Sequence, residues 1–183
     1  MISAVSCVGR LVVGTGGSPG SLPALRCARD LARGNDVPLV TVIAWVPPGG
    51  DLAERRYPGQ LRRIWEDAAR ERLKAALDAA WGSAPPDLDI KSVVIRGEPG
   101  PALVNIANSA DDLLVIGAGR RGVLTRMRHG KVSRFCLSHA CCPVLAIPQP
   151  ATARQMGLGP ARRALRHGEL TVDQAMRDWN AAA

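Results

Sequence analysis

Residues 11–35 read LVVGTGGSPGSLPALRCARDLARGN, and this stretch decides the fold. An apolar run over 11–15 ends in a turn rich in glycine, which predicts a strand followed by a loop. Apolar residues then recur at helical spacing from Leu22 to Ala32, and Gly34 with Asn35 provides the stop signal. A strand, a glycine loop and a helix in this order form one βα unit.

The same alternation continues along the chain. Strands are predicted over 38–46, 90–95, 112–117 and 143–147, and helices over 61–81, 100–108 and 130–140. The helix over 100–108 is expected to start at Pro101, because proline suits a first-turn position. Strands that alternate with helices favour parallel pairing with right-handed crossovers. The sequence therefore predicts an α/β fold, a doubly wound five-stranded parallel sheet with helices on both faces.

The composition changes after Pro148, which divides the chain into an α/β domain over 1–150 and a short C-terminal helical extension over 151–183. One helix of the extension is predicted between Pro160 and Gly168. A second begins at Thr171, where Gln174 has capping-box spacing. Its apolar stripe packs either on this chain's own sheet or on another subunit or protein; the stripe comprises Val172, Ala175, Met176 and Trp179.

Positive charge is concentrated in one segment. The 183 residues include 24 Lys and Arg against 16 Asp and Glu, a formal net charge of +8. Six of the basic residues fall within 120–134, which contains no acid. This distribution favours anionic partners such as phosphates, nucleic acid or acidic surfaces.

The five cysteines indicate a reducing compartment. They are odd in number and form no C-x-x-C pair, which argues against a secreted disulfide scaffold and against a zinc cluster. Reduced, buried thiols are the favoured interpretation, with a redox pair at Cys141 and Cys142 as the alternative. The sequence shows neither a long apolar span nor a signal-peptide pattern, so we expect a cytoplasmic protein with no membrane partner.

Two of the predicted strands end in glycine-rich loops, at 14–20 and 117–122. In open parallel sheets, ligands bind beyond the carboxyl ends of the strands, where the strand order reverses. If the first and fourth strands are central neighbours, both loops face one crevice. The second loop leads through the basic segment to Gly130 and a helix start, where backbone N–H groups favour an anion such as phosphate.

Two familiar phosphate motifs match this region incompletely. Gly117, Gly119 and Gly122 have G-x-G-x-x-G spacing, but a dinucleotide site needs an acid about 20 positions on, and residues 137–142 contain none. Gly130 and Lys131 are similar to the end of a P-loop, yet Val132 replaces the required Ser or Thr. Neither a dinucleotide site nor Walker-type hydrolysis is supported.

Several segments together resemble the universal stress protein family over about residues 9–148. They are VGTGGSPGS at 13–21, RGEP at 96–99, ADDLLVIG at 110–117, GKVSR at 130–134 and CPVL at 142–145. The resemblance implies a cytoplasmic, doubly wound α/β protein, often a homodimer through its last strand. One branch of the family holds ATP through a G-x2-G-x9-G-[ST] motif.

This chain departs from that motif. Gly117 and Gly130 match it, but Arg120 replaces the second glycine, Lys131 replaces the Ser or Thr, and Gly16 replaces an acid that contacts the adenosine part of the ligand. We expect more positive charge, a narrower pocket and weaker discrimination for ribose or adenine. The resemblance implies ligand contacts at Gly14, Thr15, Gly16, Ala44, Ile116, Gly117, Arg120, Gly130, Lys131, Val132 and Ser133.

The sequence thus predicts a universal stress protein, a cytoplasmic stress-response regulator with ATP or a related nucleotide as its candidate ligand. No enzymatic activity is expected, because the three histidines lack metal-ligand spacing and neither glycine loop holds a carboxylate. One alternative is a family member that has lost nucleotide binding and acts through protein contacts. The others are backbone-directed nucleic-acid binding by 120–134, which scarce aromatic residues disfavour, and weak nucleotide hydrolysis.

Overall fold

The computed structural model describes residues 8–48, 59–82, 87–118 and 131–148, along which five strands alternate with four α-helices. The strands are β1 (Arg10–Thr15), β2 (Leu39–Trp45), β3 (Ile90–Arg96), β4 (Asp112–Gly117) and β5 (Val144–Ile147). The helices are α1 (Leu22–Asn35), α2 (Gln60–Trp81), α3 (Pro99–Ile106) and α4 (Lys131–His139), and a 3-10 turn over Pro19–Ser21 precedes α1.

The strands form one parallel sheet in the order β3-β2-β1-β4-β5. The chain builds outward from β1 to β3 and then returns to β4 on the other side of β1, so the strand order reverses between β1 and β4. This topology confirms the predicted doubly wound fold. It also makes the carboxyl ends of β1 and β4 neighbours, with Val13 in register with Val115.

Helices cover both faces of the sheet because successive side chains of a strand point to opposite sides. Leu11 and Val13 of β1 pack in the cluster that includes α1 and α2, whereas Val12 packs in the cluster that includes α3 and α4. Strands covered on both faces are apolar at nearly every position. This burial accounts for the continuous hydrophobic runs in the sequence and confirms the layers predicted from them.

Two helix boundaries do not fall on the signal residues that predicted them, and the other helix ends differ by two residues or fewer. Gly34 and Asn35 lie within α1, and the helix is closed instead by Asp36, which has a left-handed φ of 53° and donates its N–H to the carbonyl of Ala32. A short polar side chain such as Asp tolerates this conformation. Helix α3 starts at Pro99 rather than Pro101. Both prolines fall in the first turn, where no backbone N–H is required, so the pattern alone did not choose between them.

Part of the predicted architecture lies outside the described residues, namely the loop over 119–130 and the C-terminal extension over 151–183. The division into 1–150 and 151–183 therefore stays a prediction. Within the described ranges, every helix is too short or too polar to cross a bilayer. Four cysteines in those ranges are free thiols; Cys136 and Cys142 are buried as expected, whereas Cys141 is exposed. Burial raises the pKa of the Cys136 thiol to about 11.

An ion pair joins β1 to β4 at the amino edge of the sheet. The guanidinium of Arg10 donates to both carboxylate oxygens of Asp112, at 2.8 and 2.7 Å, and also to the carbonyl of Ile106 at 3.0 Å. The Asp112 side chain is only 2% exposed. Burial by itself would raise the pKa of Asp112, but hydrogen bonds from Arg10 and from the backbone N–H of Ser109 outweigh it and hold the pKa below its ordinary value.

Replacing this carboxylate should destabilise the fold. We expect Asp112→Asn to lower the free energy of unfolding by about 2 kcal/mol at neutral pH, because it removes charged hydrogen bonds from a buried position. Urea unfolding followed by circular dichroism measures the change. Asp87→Asn is the matched control, since Asp87 makes a similar two-oxygen contact with Arg33 on the surface, where little effect is expected. If the two variants lost equal amounts of unfolding free energy, the stabilising role assigned to the buried Asp112 carboxylate would be wrong.

The same pair predicts a pH dependence. Because the folded pKa of Asp112 lies below that of the unfolded chain, its contribution is fully present above the unfolded value, about 4, and is lost as the pH falls through the folded pKa. The difference in unfolding free energy between the wild type and Asp112→Asn should therefore be constant near neutrality and shrink in acid. A difference that grows on acidification would show the opposite sign and contradict the prediction.

Candidate functional site

The two glycine loops touch each other at the carboxyl edge of the sheet. The Cα of Gly117, at the end of β4, lies so close to the turn after β1 that an added Cβ would come within 3.0 Å of the Gly20 carbonyl oxygen. A second contact would form with the Cα of Ser21 at 3.8 Å. This contact and the pairing of β1 with β4 confirm that the two strands are central neighbours, as the expectation of a shared crevice requires. Residues 119–122 of the second loop lie outside the described residues, so the shared crevice itself stays a prediction.

A chain of hydrogen bonds holds the first loop in shape. The N–H of Gly17 donates to Thr15 Oγ1 at 3.2 Å, and Thr15 Oγ1 lies 2.9 Å from Ser21 Oγ. Ser21 Oγ in turn donates to the carbonyl of Ser18 at 2.7 Å. Since the single hydroxyl proton of Ser21 is used in that bond, Thr15 donates to Ser21. The Thr15 hydroxyl, an implied ligand contact, therefore has its proton committed within the loop.

Adjacent glycines in this loop have different roles. Gly17 has a φ of +71°, and a Cβ there would lie 3.3 Å from the Cβ of Arg72 on α2, so both conformation and space favour glycine. Gly16 is exposed, its φ is not in the left-handed region, and a Cβ would meet no atom within 4 Å. The backbone at position 16 can therefore accept a side chain, including the acid that the resemblance places there.

Gly14 serves packing between the sheet and α3. A Cβ at this position would lie 2.6 Å from Cδ1 of Leu103, well inside van der Waals contact. Leu103 itself is 4% exposed and belongs to the core beneath α3 and α4. The structure thus gives Gly14 a reason to be glycine that does not involve a ligand.

Helix α4 is tied directly to the end of β4. Ser133, in the first turn of the helix, is buried and donates from Oγ to the carbonyl of Gly117 at 3.0 Å. The first turn of a helix has backbone N–H groups without intrahelical partners and the positive end of the helix dipole. This hydrogen bond therefore sets an anion-attracting helix end beside the contact between the two loops.

The remaining implied contacts differ in how far the structure describes them. Ile116 is 2% exposed and packs in the core on the α3 and α4 side, and Val132 is half-buried against the same cluster. Ala44 lies near the carboxyl end of β2 and is half-buried. Lys131 is the first residue of α4. Arg120 and Gly130 lie outside the described residues, so their predicted roles stay predictions.

Sequence reasoning missed the part that Ser21 plays. The signal was present as two hydroxyl residues, Thr15 and Ser21, on either side of a Gly-Gly-Ser-Pro-Gly turn. Their hydroxyls stand six positions apart and meet only because the turn folds back on itself. In the described ranges, no cluster of three His, Cys, Asp or Glu side chains could hold a metal ion.

Comparison with known proteins agrees with this geometry. A model of the universal stress protein family matches residues 8–148. The chain belongs to the universal stress protein family. A universal stress protein of Mycobacterium tuberculosis is 34% identical over 142 residues, which are 76% of this chain and 44% of that protein. The chain therefore spans less than half the length of this relative.

Solved structures of universal stress proteins have the same fold. One, described as a complex with cAMP, is 27% identical with a TM-score of 0.50, and the match covers 78% of this chain and 98% of that one. Another, from Archaeoglobus fulgidus, is 25% identical with a TM-score of 0.56, and the match covers 75% of this chain and 97% of that one.

The contact between the two loops predicts unequal costs for two similar substitutions. Gly117→Ala should lower the free energy of unfolding by about 1–2 kcal/mol, because its Cβ presses on the backbone oxygen of Gly20. Gly16→Ala adds the same methyl group in open space and should leave stability nearly unchanged. Chemical denaturation of both variants measures the difference. If Gly117→Ala were as stable as Gly16→Ala, the described contact would be wrong.

Proposed function

We propose that this universal stress protein is a cytoplasmic regulator that binds ATP or a related adenine nucleotide at the carboxyl edge of β1 and β4. The observation that carries the proposal is the meeting of Gly117, Gly20 and the Ser133-anchored start of α4 at one point. This is the strand-order reversal, where α/β sheets bind their ligands. The related protein described as a complex with cAMP supports a nucleotide as the ligand class.

Recognition of phosphate is the stronger half of the proposed site. The amino end of α4 offers backbone N–H groups, and residues 120–134 supply six positive charges with no acid. Arginine binds phosphate oxygens in pairs, whereas lysine acts as a point charge. We therefore assign most of the binding free energy to the phosphates of the ligand.

Recognition of the nucleoside is the weaker half. Gly16 provides no side-chain acceptor for a ribose hydroxyl, although the space beside it is open. The Thr15 hydroxyl already donates its hydrogen bond to Ser21. The ligand is therefore selected by its phosphate charge more than by its base or sugar.

We assign a regulatory rather than an enzymatic role to this site. Residues 14–21 and 117–134 contain no Asp or Glu, so these segments provide no carboxylate to activate a water molecule. The free thiols among the described residues suit the reducing cytoplasm.

Binding of ATP should raise the thermal stability of the protein. A ligand at about 100 times its dissociation constant adds about 2.7 kcal/mol to the free energy of unfolding. We expect Gly16→Asp to tighten ATP binding about tenfold, because the new carboxylate can accept a ribose hydrogen bond without displacing any neighbouring atom. Melting curves and calorimetric titration with ATP measure both effects.

Two controls separate nucleoside recognition from charge. Inorganic tripolyphosphate carries the phosphates alone, and Gly16→Asp should not tighten its binding. Gly34→Asp makes the same substitution at another glycine whose Cβ would meet no atom within 4 Å, near the end of α1, and should leave ATP binding unchanged. A melting curve of the wild type that millimolar ATP does not move would contradict the proposal and favour a family member that acts through protein contacts alone.

We also propose that the protein is a homodimer that pairs through β5. This strand is an edge of the sheet that the described residues form, and Leu145 in its centre is 36% exposed. An edge strand with exposed apolar residues is a ready surface for a second copy, because it presents backbone groups that lack partners in the sheet.

A charge on β5 should disrupt this dimer. Leu145→Lys is expected to shift the protein from dimer to monomer, since a lysine on an edge strand opposes strand pairing. Sedimentation or light scattering reports the mass. Leu137→Lys is the matched control, because Leu137 is 59% exposed on α4 and is not on the strand edge. A wild-type protein that remains monomeric at high concentration, or a dimer that Leu145→Lys leaves intact, would exclude this interface.

A further inference from the structure

A groove lies between α2 and the edge strand β3, away from the loops that form the candidate nucleotide site. Its volume is about 390 Å³, within the range of pockets that hold small molecules. Residues of α2 spaced three and four apart form one wall, and alternate residues of β3 form the other. The groove exists because β3 ends the described sheet, so α2 has a neighbouring strand on one side only.

The floor of the groove is apolar and held in place. Leu77, Ile90 and Val94 line it and are half-buried, and the indole of Trp81 closes one end. The indole orientation is fixed because Nε1 donates to the carbonyl of Leu25 at 3.2 Å. Both α2 and β3 therefore contribute apolar surface to the floor, and the Trp81 indole does not need to move to expose it.

The one hydroxyl on the β3 wall already has a partner. Ser92 Oγ lies 3.0 Å from the Oγ1 of Thr41, which is fully buried in β2. These two residues are also paired in the strand register. A ligand can cover this part of the groove without leaving the serine hydroxyl unsatisfied, so the groove tolerates an apolar chain along its length.

The charges on the rim are ordered along the groove. Lys74 is exposed and forms no ion pair with any described residue, whereas the neighbouring Arg70 is held by Glu66 and Asp67. Asp78 stands one turn beyond Lys74, on the side toward the closed end. A negative head group is therefore attracted to Lys74 and repelled from the rim near Asp78, which directs an attached apolar chain toward the indole.

We propose that this groove is a second ligand site, which binds a small amphipathic carboxylate with its apolar chain on the floor and its carboxylate at Lys74. Charge complementarity at the rim favours a carboxylate over a neutral or cationic amphiphile. None of the residues that line the groove belongs to the two glycine loops, so the two sites can be tested by separate substitutions.

Decanoate, below the concentration at which it forms micelles, is the probe for this site. We expect saturable binding of one molecule per chain, with a dissociation constant on the order of 1 mM for a ligand of this size. In NMR spectra, the methyl signals of Leu77, Ile90 and Val94 should shift with decanoate, while that of Leu145 on β5 should not. Binding that fails to saturate, or shifts that spare these three methyl groups, would overturn the proposal.

Substitutions test the head group and the floor separately. Lys74→Glu should weaken decanoate binding about five- to tenfold and leave the binding of neutral decanol unchanged. Lys91→Glu is the matched control, because it makes the same charge change on β3 but lies in register with Val40, on the opposite face of the sheet. Val94→Trp should fill the floor of the groove and abolish the binding of both decanoate and decanol. Circular dichroism checks that this variant folds.

The outcomes are distinct. If Lys74→Glu and Lys91→Glu weakened decanoate binding equally, the net charge of the protein would explain the effect. That result would overturn the placement of the carboxylate at Lys74. Decanol that binds as tightly as decanoate would overturn the anionic class of ligand. If Val94→Trp does not fold, the methyl shifts of the wild-type protein still decide whether decanoate occupies the groove.

Discussion

The close approach of Gly117 to the carbonyl of Gly20 is the constraint on which the carboxyl edge depends. It brings the end of β4 against the turn that follows β1, and the hydroxyl of Ser133 extends this arrangement to the start of α4. A side chain at position 117 would separate these elements by pressing on backbone, which has little freedom to move. Glycine here is therefore a packing requirement, and the proposed anion site lies beside this contact.

The two edges of the sheet are held by different kinds of polar contact. At the amino edge, Arg10 and the buried Asp112 join β1 to β4 with charged hydrogen bonds. At the carboxyl edge, β1 ends in a loop whose hydroxyl groups are bonded to one another and to a backbone carbonyl. Because the loop after β1 is held by its own hydrogen bonds, it needs little further ordering when a ligand binds.

The two proposed sites take anions for different reasons. At the carboxyl edge, the proposal rests on the amino end of α4, whose helix dipole favours phosphate, and on an open space beside Gly16 with no side chain to contact a nucleoside. In the groove beside β3, Lys74 stands at the rim above an apolar floor and forms no ion pair with any described residue. The first site depends on the reversal of strand order, whereas the second depends on β3 being an edge strand, so a single sheet topology accounts for both.

The sequence by itself determined the elements, the α/β class, the family resemblance and the position of the glycine loops, because local periodicity and turn residues carry that information. It left the stop of α1 uncertain, since Gly34, Asn35 and Asp36 can all end a helix. Only the tertiary structure decided that β1 and β4 are neighbours, that Gly14 packs on Leu103, and that the Thr15 hydroxyl lies within hydrogen-bond distance of Ser21. These facts depend on contacts between residues distant along the chain or across a folded turn, and no local pattern of residue types specifies them.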